Sequence, residues 1–321
     1  MMKKKPLIVL TGPTAAGKTE LSLKIAERYG CEIISADSMQ VYKYMDIGSA
    51  KITAEEMRGV RHHLIDVLMP EEDFSVYRFV QMAKQAIDEI YERGKIPLVV
   101  GGTGFYIRAL LYDAEFTEES DDNAVRSRLE ALAQEIGPEA LHDKLRAVDP
   151  ESAEIIHPNN VKRVIRALEF YEQNQKPISE HNEEQKAKDS PYDFCYFVLN
   201  MDRAVLYDRI EKRVDAMVQA GLKTEVERLR SMGYTRDLVS MQGLGYKEYL
   251  DHLNGEISEE EAIYRIKRDT RHFAKRQLTW FRREKEVIWL DKKNCPSKEE
   301  EKKEIERLLD EIDGHVRTIL D

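Results

Sequence analysis

Eight residues near the start of the chain have the types and spacing of a phosphate-binding loop. A short apolar run, Leu7 to Leu10, leads directly into Gly-x-x-x-x-Gly-Lys-Thr, and a helix-forming segment from Glu20 to Arg28 follows. The glycines allow successive backbone N–H groups to point into one cavity, and the helix start adds free amides and a positive dipole end. The candidate phosphate-binding residues are Gly12, Pro13, Thr14, Ala15, Ala16, Gly17, Lys18 and Thr19.

Lys18 and Thr19 have separate predicted roles in this loop. Lys18 supplies a mobile positive charge for the terminal phosphate, and the hydroxyl of Thr19 can bind Mg²⁺. The alternative is a glycine-rich turn that matches the pattern by chance, but strand, loop and helix occur here in the order that a P-loop requires. The spacing therefore predicts a diphosphate or triphosphate ligand without saying which molecule carries it.

Asp37 is the next candidate for chemistry. It follows a short apolar segment, Cys31 to Ala36, that we interpret as a buried strand. Ligands of parallel α/β sheets bind at the carboxyl ends of the strands, so this carboxylate would face the phosphate site. It could hold Mg²⁺ through water or act as a general base, and the alternative is an ordinary helix N-cap.

A second glycine-rich turn, Gly101 to Tyr106, follows the apolar segment Pro97 to Val100. An amphipathic helix from Phe74 to Arg93 precedes that segment, and the order strand, helix, strand predicts a parallel sheet covered on both faces. This turn should lie beside the P-loop, with Thr103 as its hydroxyl donor. The neighbouring pair His62 and His63 could suggest a metal site, but adjacent strand residues face opposite ways, so we favour a structural role.

The basic residues are concentrated in one predicted helix, Ser258 to Lys285. Between Arg265 and Lys285 there are nine Lys or Arg and only two acidic residues, in a chain whose formal net charge is −10. Such a local concentration of positive charge in an acidic chain indicates a binding site for a polyanion. Trp280 and Phe281 in this segment could stack on bases, although core packing is the expected use of at least one.

These residues must be positioned by an α/β fold with an insertion. The 321 residues, 42% of them apolar, are enough for a full core, and we expect a P-loop NTPase-like parallel sheet flanked by helices. Strand signals vanish between about Asp113 and Asp193, so residues 114–193 are predicted to form an all-helical insertion, and 1–113 plus 194–321 the catalytic core. In the insertion, Lys162, Arg163 and Arg166 share one side of a helix, which a solvated face would also explain.

Composition limits the remaining possibilities. The three cysteines are isolated, which excludes a zinc or disulfide framework, and no segment approaches a membrane span. We expect a cytoplasmic protein without membrane attachment. Two functional classes remain open from the residues alone: a P-loop kinase acting on a small molecule, and a transferase that holds a diphosphate and works on a nucleic acid. A nucleotide-regulated RNA adaptor is a more distant alternative.

The chain resembles the tRNA dimethylallyltransferases (tRNA isopentenyltransferases, the IPP transferase family) from Pro6 to about Asp291. The resemblance rests on several separate blocks that occur in the family's order. They are Gly12 to Thr19, Ser35 to Tyr42, Gly101 to Tyr106, His157 to Asn159, Arg163 with Arg166 to Glu169, and Lys275 to Arg282. Longer members carry a C-terminal zinc finger, for which this sequence has no cysteine and histidine set, so it resembles the compact bacterial type.

The resemblance implies a specific reaction. Dimethylallyl diphosphate would be held with Mg²⁺ in the P-loop by Lys18 and Thr19. Asp37 would accept a proton from the N6 amine of the adenosine at tRNA position 37, and an arginine among Arg203, Arg209 and Arg213, preferably Arg213, would bind the diphosphate. The partner is the anticodon stem-loop of tRNA, and a monomer is expected.

The same resemblance assigns the tRNA-binding residues. They are Asp37, Ser38, Met39, Gln40, Thr103, Lys162, Arg163, Val164, Ile165, Arg166, Gln242, Gly243, Leu244, Gly245, Tyr246, Lys247, Lys275, Arg276, Gln277, Leu278, Thr279, Trp280, Phe281 and Arg282.

Overall fold

A computed structural model describes residues 4–114, 124–186 and 188–320. It contains one six-stranded sheet, in the order β3-β2-β4-β1-β5-β6, and every neighbouring pair of strands is parallel. The strands are β1 (Lys5–Thr11), β2 (Cys31–Ala36), β3 (His62–His63), β4 (Ile96–Gly101), β5 (Tyr192–Met201) and β6 (Val287–Lys292). The predicted parallel α/β fold is therefore confirmed.

The other main elements of the described chain are α-helices. They are α1 (Lys18–Tyr29), α2 (Val76–Glu92), α3 (Gly104–Leu111), α4 (Ala124–Val148), α5 (Pro150–Ile155), α6 (Val161–Asn174), α7 (Ile178–Lys186), α8 (Arg203–Gln219), α9 (Leu222–Ser231), α10 (Tyr246–Leu253), α11 (Glu259–Phe281) and α12 (Lys298–Leu320). None of the helices described is both long and apolar enough to cross a membrane.

The chain divides into two compact units. One comprises residues 1–110 and 191–321, and the other residues 111–190. The predicted insertion, 114–193, includes residues 115–123 and 187, which lie outside the described residues. The regular secondary structure described between residues 124 and 186 is helical, and α4 to α7 enclose a small core that includes Leu129, Leu141 and Leu145.

The sheet unit is built around β1, which lies between β4 and β5. Its residues Leu7, Ile8, Val9 and Leu10 are fully buried, as expected for a parallel strand with helices on both faces. The C-terminal helix α12 buries Leu308 and Ile312 in the same core as α1. The highly charged α12 therefore packs its apolar face against the sheet unit.

The segment from His62 to Val67 is compatible in sequence with either a short strand or a turn, and it contains both. Strand β3 covers His62 and His63, and Leu64 and Asp66 then adopt positive φ values of 63° and 54°. The basic helix ends at Phe281 rather than Lys285, since the N–H groups of Arg282 and Arg283 close its last turn. The paired histidines have separate structural partners: Nε2 of His63 lies 2.8 Å from Oε2 of Glu32, and Nδ1 of His62 lies 2.8 Å from the carbonyl oxygen of Val60.

Candidate active site

Three adjacent strands bring the predicted chemical residues to one edge of the sheet. The P-loop (Gly12 to Thr19) follows β1, Asp37 follows β2, and the second glycine turn follows β4, which lies between those two strands. Gly101 pairs in register with Thr11 on one side and Ala36 on the other. The Thr11 hydroxyl also donates to the carbonyl oxygen of Gly101 at 2.8 Å. The two glycine turns are therefore neighbours, as the sequence predicted.

The P-loop has backbone angles that favour glycine at both of its glycines. Gly12 has φ 146° and Gly17, the N-cap of α1, has φ 97°. A Cβ at Gly12 would lie 2.4 Å from the carbonyl oxygen of Leu199 in β5, so a side chain does not fit there. Ala15 also adopts a positive φ of 63°. The loop is consequently held in a strained, compact form against the sheet.

Lys18 folds back over this loop. Its Nζ donates to the carbonyl oxygens of Gly12 and Pro13, each at 3.0 Å. Burial and the positive charge of Arg213 lower the pKa of Lys18 to about 8, while the charge of Asp37 acts in the opposite direction. Burial also lowers the pKa of Arg213 below its ordinary value, and the charge of Asp37 again counteracts it. Lys18, Asp37 and Arg213 thus form one interacting charge cluster.

The carboxylate of Asp37 organises the turn after β2. Its Oδ1 accepts the backbone N–H of Met39 at 2.9 Å and that of Gln40 at 3.4 Å. The capping-type role that we weighed as the alternative is thus present. Because Asp37 also lines the cavity with the P-loop, its carboxylate faces both the turn and the site.

The cavity at this edge of the sheet has a volume of about 740 Å³. Its polar lining includes Lys18, Thr19, Asp37, Thr103, Gln242 and Lys247. Part of its apolar lining, which sequence reasoning missed, comes from α8 and α11. The apolar residues of these two helices are Ile210, Val214, Met217, Ile266 and Phe273. The helical spacing of the α8 residues was a usable signal, although such spacing more often marks core packing.

The structure separates the three candidate arginines of α8. Arg209 and Arg213 line the cavity, whereas the exposed Arg203 lies over the ring of Tyr207, 5.1 Å from its centroid. Arg209 donates through Nε to the carbonyl oxygen of Ala15 at 3.0 Å, so it holds the P-loop directly. Arg213 lies in the charge cluster described above.

A charged group behind the P-loop was not predicted. A Cβ at Gly17 would lie 3.0 Å from Nζ of Lys292 and 3.5 Å from Nη2 of Arg209. Glu301 on α12 accepts from Lys292 at 2.8 Å and lies 3.7 Å from Arg209. Lys292 is the last residue of β6, so the rule that strand ends carry functional residues was the available signal.

Gln277 was predicted to contact RNA, but its side chain lies inside the protein. Its side chain is almost completely buried, and Oε1 accepts the backbone N–H of Thr14 at 2.9 Å. Its Nε2 donates to the carbonyl oxygen of Gly102, also at 2.9 Å. Gln277 therefore joins helix α11 to both glycine turns.

The turn from Gln242 to Lys247 packs against the residues that follow Asp37. A Cβ at Gly243 would lie 2.5 Å from Cε of Met39. Tyr246, the first residue of α10, is buried and donates its hydroxyl to Oε1 of Glu225 at 2.8 Å. Glu225 in turn accepts the backbone N–H groups of Asp46, Ile47 and Gly48 at 3.0, 2.8 and 3.1 Å. Leu244 and Gly245 complete the turn and also line the cavity.

The cations of α11 fall into two groups. Those in its middle turns have carboxylate partners: Lys267 with Asp215 at 2.6 Å and Arg271 with Glu211 at 2.6 Å. Lys275 and Arg276, like Arg282 directly after the helix, are exposed, and the described residues offer them no ion-pair partner. The positive charge available to bind a polyanion is therefore smaller than the number of Lys and Arg residues suggests. It is concentrated near the end of the helix.

The other residues predicted in this segment divide between surface and core. Thr279 is exposed and Leu278 is partly buried. Phe281 is fully buried, so its side chain packs in the protein and cannot stack on a base in this conformation. The ring of Trp280 lies edge-on to the half-exposed Phe105, with centroids 6.1 Å apart.

In the helical unit, α6 carries the predicted basic group. Lys162 and Arg163 are exposed, and Arg166 pairs with Glu169 at 3.1 Å. Val164 and Ile165 are buried in the core of this unit. Their predicted role as RNA contacts therefore does not fit their side chains, which face the core because they lie on the opposite face of the helix.

This chain is similar in sequence to a known protein family and to individual proteins. A sequence model of a family described as IPP transferase matches residues 40–284. A tRNA dimethylallyltransferase of Lachnoclostridium phytofermentans is 59% identical over 293 residues, covering 91% of this chain and 94% of that protein. The corresponding protein of Acetivibrio thermocellus is 53% identical with the same coverage.

Solved structures show the same similarity. The tRNA isopentenylpyrophosphate transferase of Bacillus halodurans has a TM-score of 0.72 and 45% identity, covering 99% of this chain and 98% of that one. A eukaryotic dimethylallyltransferase, solved acting on tRNA, has a TM-score of 0.77 and 32% identity, covering 89% of this chain and 74% of that one.

Proposed function

The chain belongs to the IPP transferase family, and from that premise we propose that it transfers the dimethylallyl group of dimethylallyl diphosphate to N6 of adenosine at tRNA position 37. The products are N6-dimethylallyladenosine and diphosphate. The observation that carries this proposal is the convergence of Asp37, Lys18 and Arg213 on one cavity, because it puts a base beside a cationic cradle.

Asp37 is suited to the proton transfer that this reaction needs. An exocyclic adenine amine is a poor nucleophile because its lone pair is delocalised into the ring. In the proposed step the N6 nitrogen bonds to C1 of the dimethylallyl group while the C1–O bond breaks, and its electron pair leaves with the diphosphate. The carboxylate of Asp37 accepts the proton that N6 loses.

The leaving group would be held by the P-loop. Lys18 is already charged beside the loop carbonyls, and Arg209 and Arg213 approach from α8. Positive groups that are in place before the C–O bond breaks stabilise the charge that develops on the diphosphate. In this assignment Arg213 contacts the diphosphate and Arg209 holds the loop.

The residues present also fit Mg²⁺. Thr19 is exposed at the start of α1 and lines the cavity with Asp37, so hard oxygen donors are gathered there. Thr19 would hold the ion, and diphosphate oxygens and water would fill its other positions. When bound, Mg²⁺ would neutralise charge on the diphosphate.

The prenyl group and the adenine need separate surfaces. The apolar lining from α8 and α11 is suited to the five-carbon chain, because burying it there removes apolar surface from water. The target base must leave the anticodon stack to reach Asp37. Ser38, Met39, Gln40 and Thr103 lie beside that carboxylate and would contact the adenine.

The RNA backbone would be held by exposed cations. These cations are Lys275 and Arg276 on α11, Arg282 directly after it, and Lys162 and Arg163 on α6. Within the described residues, no acidic side chain already balances their charge. Such contacts bind phosphates and position the loop without reading its sequence. A cytoplasmic monomer remains our expectation for the active protein.

A transfer assay tests the proposal. Purified protein with Mg²⁺, labelled dimethylallyl diphosphate and an anticodon stem-loop should label the RNA at the adenosine 3′ of the anticodon. A stem-loop with guanosine at that position is the matched control and should stay unlabelled. Competition between ATP and dimethylallyl diphosphate separates the alternative class: ATP binding followed by phosphate transfer without RNA would contradict the proposal.

A further inference from the structure

The side chain of Gln277 connects helix α11 to the two glycine turns of the site. We propose that Gln277 is a positioning residue through which RNA binding on α11 and diphosphate binding in the P-loop strengthen each other. This inference rests on the proposed function, since it takes an RNA and a prenyl diphosphate as the two ligands. It assigns no chemical step to Gln277.

Only one orientation of the Gln277 side-chain amide satisfies both hydrogen bonds. Oε1 can only accept and Nε2 can only donate, and the partners are an N–H group of Thr14 and a carbonyl oxygen of Gly102. A Cβ at Gly102 would lie 2.3 Å from Nε2, so the glycine is needed for the approach. With the side chain only 6% exposed, neither bond can be replaced easily by water.

The Thr14 bond determines the shape of the P-loop. Thr14 lies between the two glycines that give the loop its conformation, and its backbone N–H points to α11. A displacement of α11 would therefore leave that N–H without its partner or move the loop with the helix. Together with the bond from Arg209 to Ala15, this anchor helps to fix the direction of the other amides of the loop.

The same helix carries exposed cations proposed to bind RNA. Lys275 and Arg276 directly precede Gln277, and Arg282 is the first residue after the helix. RNA phosphates bound to these cations would hold α11 in one position and with it the amide of Gln277. By thermodynamic linkage, a ligand that requires the ordered loop would then favour RNA binding by the same factor.

The test measures this factor directly. Affinity of the full-length protein for inorganic diphosphate with Mg²⁺ is measured by calorimetry with and without saturating anticodon stem-loop, in the wild type and in Gln277→Met. We expect RNA to raise diphosphate affinity about fivefold or more in the wild type, and the factor to approach one in the variant. Glu260→Gln, an exposed change in the first turn of the same helix, should keep the wild-type factor.

A second variant covers the case in which Gln277→Met fails to fold. Gly102→Ala places a methyl group against Nε2 from the opposite side without changing α11, and it should also lower the factor. An unchanged factor in either folded variant, or a wild-type factor of one, would overturn the inference. Coupled binding without prenyl transfer would instead overturn the proposed function and leave the coupling standing.

Discussion

Nζ of Lys18 lies 3.0 Å from the carbonyl oxygen of Gly12, the residue at the opposite end of the P-loop. The ammonium group also donates to the carbonyl oxygen of Pro13 at 3.0 Å, so it holds the two ends of the loop together. It has a third N–H donor for a diphosphate oxygen, and such a bond between charged groups is stronger than one to a carbonyl.

Diphosphate affinity should fall as the pH rises through the pKa of Lys18. Burial and Arg213 lower this pKa to about 8, so the free protein loses the positive charge above that value. Bound diphosphate stabilises the charged form, and binding therefore takes up a proton at alkaline pH. Calorimetry with inorganic diphosphate should show the decrease. In Lys18→Arg, which stays charged, affinity should change little over the same range, and an equal decrease there would contradict this assignment.

Asp37→Asn should lose turnover and keep RNA affinity. The amide can still accept the N–H of Met39, so the turn after β2 is preserved, but it cannot take a proton from the attacking amine. Removing a general base typically lowers the rate roughly 10²- to 10⁴-fold. Single-turnover transfer and stem-loop binding should be measured on the same preparation. A variant that lost only RNA affinity would show that Asp37 binds the base without taking its proton.

Lys275 and Arg271 should differ in their effect on RNA binding. Lys275 is exposed, whereas Arg271 is balanced by Glu211 at 2.6 Å. Lys275→Ala should weaken stem-loop binding and lower the slope of log affinity against log salt by about 0.7 to 0.9. Arg271→Ala should change the slope less. The exposed Lys302 on α12 provides the control, and an equal effect of Lys302→Ala would mean that the charges act only through net charge.

Tyr246→Phe should reduce stability more than RNA binding. The lost hydroxyl donates to Glu225, which also holds the backbone of residues 46–48. Removing one buried hydrogen bond of this kind should lower the free energy of unfolding by about 0.5–1.5 kcal/mol. Urea unfolding measures the change. Stem-loop affinity should stay near the wild-type value; a large loss with unchanged stability would return Tyr246 to the RNA contacts.

Two glycine substitutions should have opposite effects on stability. A Cβ at Gly101 would lie 2.1 Å from the carbonyl oxygen of Ala36, and backbone of β2 cannot give way there. Gly101→Ala should therefore destabilise the sheet strongly and impair transfer. At Gly314 in α12 no atom comes within 4 Å of an added Cβ, and alanine should stabilise the helix by about 0.5–1 kcal/mol. Thermal unfolding distinguishes the two, and equal melting temperatures would contradict the packing described.

The sequence by itself determined the local framework of the site. The spacing from Gly12 to Thr19 specifies a loop between a strand and a helix. Local sequence is enough here, because the backbone conformation of glycine and the start of a helix depend on residues that are neighbours in the chain. Apolar segments before Asp37 and Gly101 identified two further strand ends, and parallel strands bring such ends to one edge. The family resemblance added the reaction, and close relatives support it.

Only the tertiary structure decided which long-range partner each side chain has. Gln277 reaches Thr14 across 263 positions, Arg209 reaches Ala15 across 194, and Arg271 is balanced by a glutamate 60 residues away. No local pattern encodes these pairs, because they depend on how separate helices pack on the sheet. For the same reason the sequence could not tell that Phe281 and Tyr246 are buried while Lys275 stays exposed. The residue type determines which interactions a side chain can make, and tertiary packing determines which partner it contacts.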